Sequence, residues 1–342
     1  MTHKDLSHST IVITGASSGI GEATAEAFAL HGARLVLAAR DVKAVKAVAA
    51  HCRALGARVK PVYVDVTDPQ SVRRLASKAV GFGGGIDVWV SNVGVGAFGR
   101  FEDTPIEAHE QVLRANLFGH MADAHAVVPI FKAQKHGTFI NIISLGGYTG
   151  TPFSAAYSAS KFGLRGFSEA LRGELAGHRD IHICDVYPAF IDTPGLSHAA
   201  NYTGRELKAP PPVFDPRRVA DAVVALARRP RDTTTVGWTA PAAKIAHGLA
   251  PGLFVSVMAG LIDRYLRKAK PVPVTDGNLY HAPAVPGGID HKHRRNPVRY
   301  ETAPKASLPG GVALLAGVAI AGIALVWPAM VRAEAKATVP AE

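Results

Sequence analysis

The residues that could best carry chemistry are Tyr157 and Lys161, which stand four positions apart in the run Tyr157-Ser158-Ala159-Ser160-Lys161. On a helix this spacing places both side chains on one face. An ammonium beside a phenol stabilises the phenolate, so we expect Lys161 to lower the pKa of Tyr157 from its usual value of about 10. Tyr157 could then donate and accept a proton. The alternative is an ordinary helix surface, where such a pair arises by chance.

A third polar residue, Ser144, follows the apolar run Thr138-Phe139-Ile140-Asn141-Ile142-Ile143 and precedes Gly146-Gly147. The run predicts a buried strand that ends in a turn. Open α/β sheets bind ligands at the carboxyl ends of their strands. We therefore expect Ser144 to lie in the same site as Tyr157.

A glycine-rich turn lies near the start of the chain, where the strand pattern Thr10-Ile11-Val12-Ile13 runs into Thr14-Gly15-Ala16-Ser17-Ser18-Gly19-Ile20-Gly21. A helix pattern follows over residues 22–30. Glycines let the backbone approach a diphosphate, and a helix N-terminus presents unpaired N–H groups to it. The alternative is a tight connection without a ligand.

Together these motifs resemble the short-chain dehydrogenase/reductase family, which has a TGxxxGxG cofactor turn and a Ser, Tyr and Lys active site. The resemblance spans roughly residues 8–240 and includes Asp65-Val66, Ser91-Asn92-Val93-Gly94 and Asn116. Two positions depart from the family pattern, since Val93 stands in the NNAG motif and Pro188-Ala189 replaces the usual Pro-Gly.

The resemblance implies the roles of the site residues. The implied catalytic residues are Asn116, Ser144, Tyr157 and Lys161. Tyr157 would protonate a carbonyl oxygen that Ser144 also binds, Lys161 would hold the ribose, and Asn116 would keep a water that relays protons. The implied cofactor-binding residues are Gly15, Ser17, Ser18, Gly19, Ile20, Gly21, Arg40, Asp65, Val66, Asn92, Gly94, Tyr157, Lys161 and Thr193.

The choice of cofactor depends on Arg40, which follows the strand pattern Arg34-Leu35-Val36-Leu37-Ala38-Ala39. An acidic residue there would bind the ribose 2′-hydroxyl of NAD, whereas an arginine can form a fork of hydrogen bonds with a 2′-phosphate. We therefore expect NADP(H) to be favoured over NAD(H). Arg40 could instead face solvent, and Asp41 could serve NAD.

The periodicity predicts an α/β fold, a doubly wound, mostly parallel, Rossmann-like sheet in residues 1–240. After the first strand, strand patterns occupy 36–38, 59–63, 88–90, 139–143 and 183–187, and helix patterns occupy 42–55, 69–80, 107–135 and 155–176. Such alternation is typical of a parallel sheet covered on both faces. No metal-ligand spacing occurs, and Cys52 and Cys184 lie in unrelated segments, which excludes a disulfide framework.

The C-terminal third predicts three further segments: a helical extension at 241–270, a Pro-, Gly- and Arg-containing linker at 271–307, and a membrane-spanning helix at 308–331. Within the extension, the apolar run 251–262 could pack on the domain or lie in a membrane interface, and either way could form a lip on the substrate cleft.

Basic residues are more frequent before the apolar segment 308–331 than after it, and no signal-peptide pattern occurs at the N-terminus. We expect a single-pass C-terminal anchor with the catalytic domain in the cytoplasm. Most of the net charge of +11 lies after residue 203, and a membrane explains this better than nucleic acid, since no aromatic-interleaved basic patch occurs.

The sequence therefore predicts an NADP(H)-dependent oxidoreductase that interconverts a carbonyl and a secondary alcohol on a lipophilic substrate, and the resemblance implies a homo-oligomer. Two alternatives stay open: an NAD-dependent alcohol dehydrogenase of the same family, and a membrane-attached nucleotide-binding scaffold without turnover.

Overall fold

The computed structural model describes residues 5–283 and 287–290, and within them the chain builds a sheet of seven parallel strands beside a two-stranded one. In chain order the strands are β1 (Thr10–Thr14), β2 (Arg34–Ala39), β3 (Arg58–Tyr63), β4 (Val88–Ser91), β5 (Ala97–Phe98), β6 (Gly137–Ile142), β7 (Ile181–Pro188), β8 (Ala200–Asn201) and β9 (Thr233–Val236).

The large sheet has the order β3-β2-β1-β4-β6-β7-β9, and β5 pairs with β8. The strand order reverses direction between β1 and β4: β2 and β3 extend the sheet on one side of β1, and β4 adds to its other side. β1 and β4 are therefore neighbours in the sheet although two strands separate them in sequence. Crevices at such a point, outside the carboxyl ends of the strands, are where open α/β sheets bind ligands. The glycine turn after β1 and the segment after β4 both enter this crevice.

Helices cover both faces of the sheet. They are α1 (Gly19–Ala29), α2 (Val42–Ala54), α3 (Pro69–Gly83), α4 (Ile106–Leu113), α5 (Gly119–Gln134), α6 (Ala155–Glu174), α7 (Gly195–His198), α8 (Pro216–Arg228), α9 (Thr239–Leu249) and α10 (Pro251–Lys268). Phe28 and Val223 belong to the apolar core beneath α1 and α8, and Leu75 and Phe131 belong to the core beneath α3 and α5.

Local signals explain where several helices begin. Asp68 and Asp215 accept hydrogen bonds from backbone N–H groups in the first turns of α3 and α8, and a proline follows each of them. An acidic N-cap followed by proline at the first helical position is a strong start signal. The predicted α/β fold is confirmed, and the predicted strands and helices are observed within a few residues.

The structure adds elements that the sequence pattern did not reveal. The edge strand β9 has the sequence Thr-Thr-Thr-Val and only Val236 is buried, so no apolar run marks it. The two-residue strands β5 and β8 are too short to give a periodic signal. Their formation depends on neighbours that are distant in sequence.

The C-terminal extension folds as α9 and α10, and the beginning of the predicted linker 271–307 contacts the domain. Leu279 is 0% exposed and packs in a cluster of the domain beside α4. Thr275 also pairs with Asn201 through two backbone hydrogen bonds. An apolar side chain and strand-like pairing thus hold the beginning of this segment on the domain.

No helix in the described part of the chain is long and apolar enough to cross a bilayer. The predicted membrane-spanning segment 308–331 lies outside the described residues.

Candidate active site

A cavity of about 500 Å³ opens at the carboxyl end of the sheet. Of the residues predicted for the site, all except Asn116 and Gly21 line it. They are Gly15, Ser17, Ser18, Gly19, Ile20, Arg40, Asp65, Val66, Asn92, Gly94, Ser144, Tyr157, Lys161 and Thr193. The volume is in the range of small-molecule sites, and the lining is mostly apolar.

The glycine turn has the shape of a phosphate cradle. Gly15 and Gly19 have φ angles of 67° and 56°, a region that side-chain-bearing residues rarely adopt. A Cβ on Gly21 would collide with the carbonyl oxygen of Gly15, and Asn92 Nδ2 donates to that oxygen at 3.1 Å. Close backbone packing keeps side chains out of the turn at the start of α1, which fits the approach of a cofactor diphosphate to the helix N-terminus.

Tyr157 and Lys161 lie on one face of α6, as the spacing predicts. Lys161 is 3% exposed; its Nζ donates to the carbonyl oxygen of Ile142 at 3.2 Å and stands 5.7 Å from the Tyr157 ring centroid. A Cβ on Gly94 would come within 4.0 Å of the same Nζ. The amine thus lies between the ends of β4 and β6, next to the phenol.

The pKa values of Tyr157 and Lys161 differ from what the sequence led us to expect. Burial raises the pKa of Tyr157, and a hydrogen bond with Ser144 opposes the rise. Burial also lowers the pKa of Lys161 to about 7. A buried amine that is partly neutral near pH 7 supplies little positive charge to its neighbour. The expected lowering of the Tyr157 pKa is therefore not found in the protein alone.

Ser144 lies two residues after the end of β6 and is the N-cap of the 3-10 turn Leu145–Gly147. Its Oγ accepts a hydrogen bond from the N–H of Gly146 at 3.1 Å. A Cβ on Gly146 would lie 3.2 Å from Cε1 of Tyr157 and 3.6 Å from Ser144 Oγ, so the glycine lets the two polar groups approach.

Asn116 stands in a π-helical turn, Arg114–Phe118, that joins α4 to α5. Its Oδ1 accepts from the N–H of Val95 at 2.8 Å, and its Nδ2 donates to the Val95 carbonyl oxygen and to Ser160 Oγ. Such π turns are frequent at functional sites. The side chain is buried behind the cavity wall and ties the segment after β4 to α6.

At the other end of the cavity, Arg40 follows β2, and Asp65 and Val66 follow β3. The Arg40 guanidinium donates to the backbone carbonyls of Leu279 at 3.1 Å and Asn278 at 2.6 Å. Asp65 accepts hydrogen bonds from the N–H and hydroxyl of Thr67. The C-terminal segment thus forms one wall of the predicted adenosine end.

The structure also places Asp41, the acidic alternative to Arg40, and Thr193, a predicted cofactor-binding residue. The Asp41 carboxylate accepts from the N–H of Ala44 at 2.9 Å and caps α2. Thr193 precedes Pro194, which is the N-cap of α7. Thr193 lines the cavity, and a Cβ added to Gly19 would lie 3.2 Å from the Cβ of Thr193.

Four residues of α10 line the cavity, and none of them was predicted from the sequence as a site residue; they are Met258, Ile262, Tyr265 and Leu266. The run 251–262 was expected to be able to form a lip on the substrate cleft, and Met258 and Ile262 of that run line the cavity. Tyr265 Oη donates to the carbonyl oxygen of Glu206 at 2.8 Å, which holds α10 beside the loop after β8. The apolar run 251–262 was the available signal, but its orientation depends on how α9 and α10 pack.

Two buried titratable residues of α5 were also missed. Asp123 Oδ2 accepts from Thr14 Oγ1 at 2.9 Å and Ser91 Oγ at 2.7 Å, and burial raises its pKa to about 7. His120 lies between Asn141 Oδ1 and the Val93 carbonyl oxygen, and burial lowers its pKa to about 4. Both side chains bind residues at the strand ends that form the crevice. Their spacing from Asn116 along the helix was the only sequence signal for their positions.

Comparison with known proteins agrees with this geometry. The sequence model described as short chain dehydrogenase matches residues 9–202. The chain is 31% identical to "Uncharacterized oxidoreductase YxnA" of Bacillus subtilis (strain 168), over 82% of this chain and 80% of that protein. It is 32% identical to "Dehydrogenase/reductase SDR family member 7B" of Bos taurus, over 77% of this chain and 84% of that protein.

Two solved structures are similar as well. A metagenomic short-chain oxidoreductase in complex with NADP has 30% identity and a TM-score of 0.58, covering 68% of this chain and 97% of its own. An alcohol dehydrogenase from the archaeon Thermococcus sibiricus, complexed with 5-hydroxy-NADP, has 27% identity and a TM-score of 0.58, covering 67% and 95%.

Proposed function

Since this chain belongs to the short-chain dehydrogenase family and is an NAD(P)-dependent oxidoreductase, we propose that it interconverts a carbonyl and a secondary alcohol on a lipophilic substrate with NADP(H). The observation that carries the proposal is the single cavity that contains both the phosphate-binding turn and Ser144, Tyr157 and Lys161.

When bound, the nicotinamide cofactor supplies or accepts the hydride. Tyr157 donates its phenolic proton to the substrate oxygen during reduction, and Ser144 donates a hydrogen bond to the same oxygen. Lys161, whose pKa is about 7, exchanges protons near neutral pH and can return one to Tyr157. Asn116 acts as a positioning residue, because its amide is engaged with Val95 and Ser160.

Three observations support NADP(H) over NAD(H). Arg40 lies at the adenosine end with its guanidinium toward the cavity wall, where it can form a charged fork with a 2′-phosphate. Asp41, the acidic alternative, caps α2. The two solved relatives named above also carry NADP or a derivative of it. A 2′-phosphate must compete with the carbonyls of Asn278 and Leu279 for Arg40, and its charge makes it the stronger acceptor.

A lipophilic substrate is supported by the apolar wall of the cavity away from the glycine turn. Phe98, Met258, Ile262 and Leu266 line this part. Pockets with such linings gain affinity mainly from the apolar area that a ligand buries. Val257 and Leu261 on the outer side of α10 are exposed, so an apolar face continues from the cavity mouth to the surface.

We further propose that the segment 308–331 anchors the chain in a membrane with the catalytic domain on the cytoplasmic side. The support is the uncharged, apolar composition of that segment and the excess of basic residues before it. A homo-oligomer is supported by two exposed rings: Phe118, at the end of the π-helical turn between α4 and α5, is 58% exposed, and Phe162 of α6 is 40% exposed. Apolar rings on packed helices are typical of an interface between copies.

The proposed function is tested by following NADPH oxidation with a panel of carbonyl compounds on the full-length protein. We expect turnover with long-chain or polycyclic carbonyls and less with small hydrophilic ones. A preference for the small compounds contradicts the lipophilic substrate. NADPH binding without oxidation across the panel favours the scaffold without turnover.

A further inference from the structure

Residues 287–290, which we call the strap, lie across the phosphate-binding turn. The carbonyl oxygen of Gly288 accepts a hydrogen bond from the N–H of Gly19 at 2.9 Å. Gly287 lies over Ser18, since a Cβ on Gly287 would come within 2.6 Å of Ser18 Cβ. The strap therefore uses one of the N–H groups at the start of α1 and covers the serine beside it.

An ion pair holds the end of the strap. Asp290 Oδ2 lies 3.2 Å from Arg217 Nη1, and the same nitrogen lies 3.3 Å from Asp215 Oδ1. Arg217 is in the first turn of α8, which packs on α1. Glu22 of α1 also faces this ion pair. Burial and then the charge of Glu26 raise the pKa of Glu22 to about 7; Arg217 opposes the rise, and Asp290 adds the smallest contribution to it.

The strap and a cofactor need the same donors. The first N–H groups of a helix have no partner within the helix, and a diphosphate at this turn binds them because they are unpaired and lie at the positive end of the helix dipole. In the structure the Gly288 carbonyl takes the Gly19 N–H, and Gly287 fills the space over Ser18. A diphosphate that reaches this turn must displace residues 287–290.

We propose that the strap is an autoinhibitory contact that competes with the cofactor diphosphate, and that the Arg217–Asp290 ion pair sets how strongly it competes. This inference rests on the proposed function only in that the ligand is a nicotinamide dinucleotide. Residues 278–279 are fixed to the domain independently of the strap, because Leu279 is buried and its carbonyl oxygen also accepts a hydrogen bond from Gln111 Nε2 at 3.0 Å. They stay in place while the strap leaves the turn.

The test is the dissociation constant of the full-length protein for NADPH and for NADH, measured by the fluorescence of the reduced nicotinamide. Asp290→Asn removes the ion pair, and we expect it to tighten binding by up to about five-fold, the range of a partly exposed pair. Gly287→Ala pushes the strap away from Ser18 and should act in the same direction. The gain should be equal for the two cofactors, because both contain the diphosphate.

A matched control is Asp221→Asn, which removes the same charge from an exposed position of α8. A general charge effect would tighten binding in the control as well, and more for NADPH than for NADH. An equal gain in the control, or unchanged affinity in both strap variants, overturns the proposal. Weaker binding in Asp290→Asn also overturns it, because the strap would then be a lid that holds the bound cofactor.

The two proposals fail in distinguishable ways. Tighter binding in the strap variants without oxidation of NADPH by any carbonyl supports the strap and counts against the proposed function. Turnover with unchanged affinity in the strap variants supports the function and overturns the strap. If neither wild type nor variants bind NADPH or NADH, both are overturned.

Discussion

Arg40 and Asn278 are 238 positions apart in the chain, yet a guanidinium nitrogen of Arg40 lies 2.6 Å from the backbone carbonyl oxygen of Asn278. The contact joins the end of β2 to the segment after α10 at the predicted adenosine end of the cavity. Arg40 is thus held in place by backbone carbonyl groups of a segment that is distant in sequence.

The first prediction concerns cofactor choice. Arg40→Ala should weaken NADPH binding about 10- to 100-fold, since a hydrogen bond to a charged group contributes about 1.5–3 kcal/mol, and should change NADH binding little. Fluorescence titration of both cofactors measures this. Lys43→Ala, an exposed cation in the first turn of α2, is the control for net charge. An equal loss for both cofactors would mean that Arg40 acts through residues 278–279 instead.

The second prediction concerns proton transfer. Tyr157→Phe removes only a hydroxyl, so the fold and the NADPH dissociation constant should be kept while turnover falls about 10²- to 10⁴-fold. Tyr63→Phe, which removes a hydroxyl from an exposed ring at the end of β3, should leave turnover unchanged. Substantial activity in Tyr157→Phe would refute Tyr157 as the proton donor.

The third prediction concerns the apolar end of the cavity. Ile262 lines the cavity, whereas its neighbour Leu261 is 58% exposed. Ile262→Asn should raise KM for long-chain carbonyls about 10-fold or more, because burying an aliphatic side chain against substrate is worth about 1.5–3 kcal/mol. Leu261→Asn should change KM for the same carbonyls little. Equal effects of the two variants would show that α10 does not contact substrate.

The fourth prediction concerns the dependence of stability on pH. Burial raises the pKa of Asp123 from 3.8 to about 7, although hydrogen bonds from Ser91 and Thr14 oppose the rise. The folded protein therefore binds this proton more tightly than the unfolded chain, so its stabilising contribution is complete below pH 3.8 and is lost as pH rises through about 7. At about 1.4 kcal/mol per pKa unit, the loss is at most about 4 kcal/mol.

Asp123→Asn removes this titration. We expect urea unfolding to show a smaller loss of stability between about pH 4.5 and pH 7.5 in the variant than in the wild type. Comparing the two proteins cancels other groups, including Lys161, whose lowered pKa makes stability rise with pH between about 7 and 10.5. Parallel pH profiles for both proteins would show that Asp123 is ionised in the fold.

The fifth prediction concerns the membrane. Full-length protein should stay in the membrane fraction after alkaline carbonate washing, because a spanning helix of about 20 apolar residues is not extracted by charge or pH. Deletion of residues 308–331 should release it, whereas deletion of residues 332–342 should not. Release of the full-length protein by carbonate would contradict a spanning anchor.

The strongest predictions from the sequence were those that depend on local pattern. The apolar runs ending at Ile13 and Ile143 predicted strands, and the spacing of Tyr157 and Lys161 predicted one helix face, because side-chain direction follows from the period of the element. The edge strand β9 escaped prediction because its burial depends on β7, which lies far away in sequence.

The direction of the Tyr157 pKa shift shows the limit of such reasoning. The sequence placed an amine beside a phenol, which alone favours the phenolate. The tertiary structure buries both groups and directs the Lys161 amine to the Ile142 carbonyl, so desolvation raises the pKa of Tyr157 and only the hydrogen bond with Ser144 opposes the rise. Adjacency is a local property, whereas burial depends on every element packed around the site.

The sequence by itself determined that this chain forms a parallel α/β sheet with a glycine turn after the first strand and a Ser, Tyr and Lys site at its carboxyl edge, because hydrophobic period and motif spacing are written along the chain. Only the tertiary structure decided that Asn278 and Leu279 hold Arg40, that α10 lines the cavity, and that Gly288 lies on the glycine turn after β1. These contacts join residues far apart in sequence, and their geometry arises from packing that no local pattern encodes.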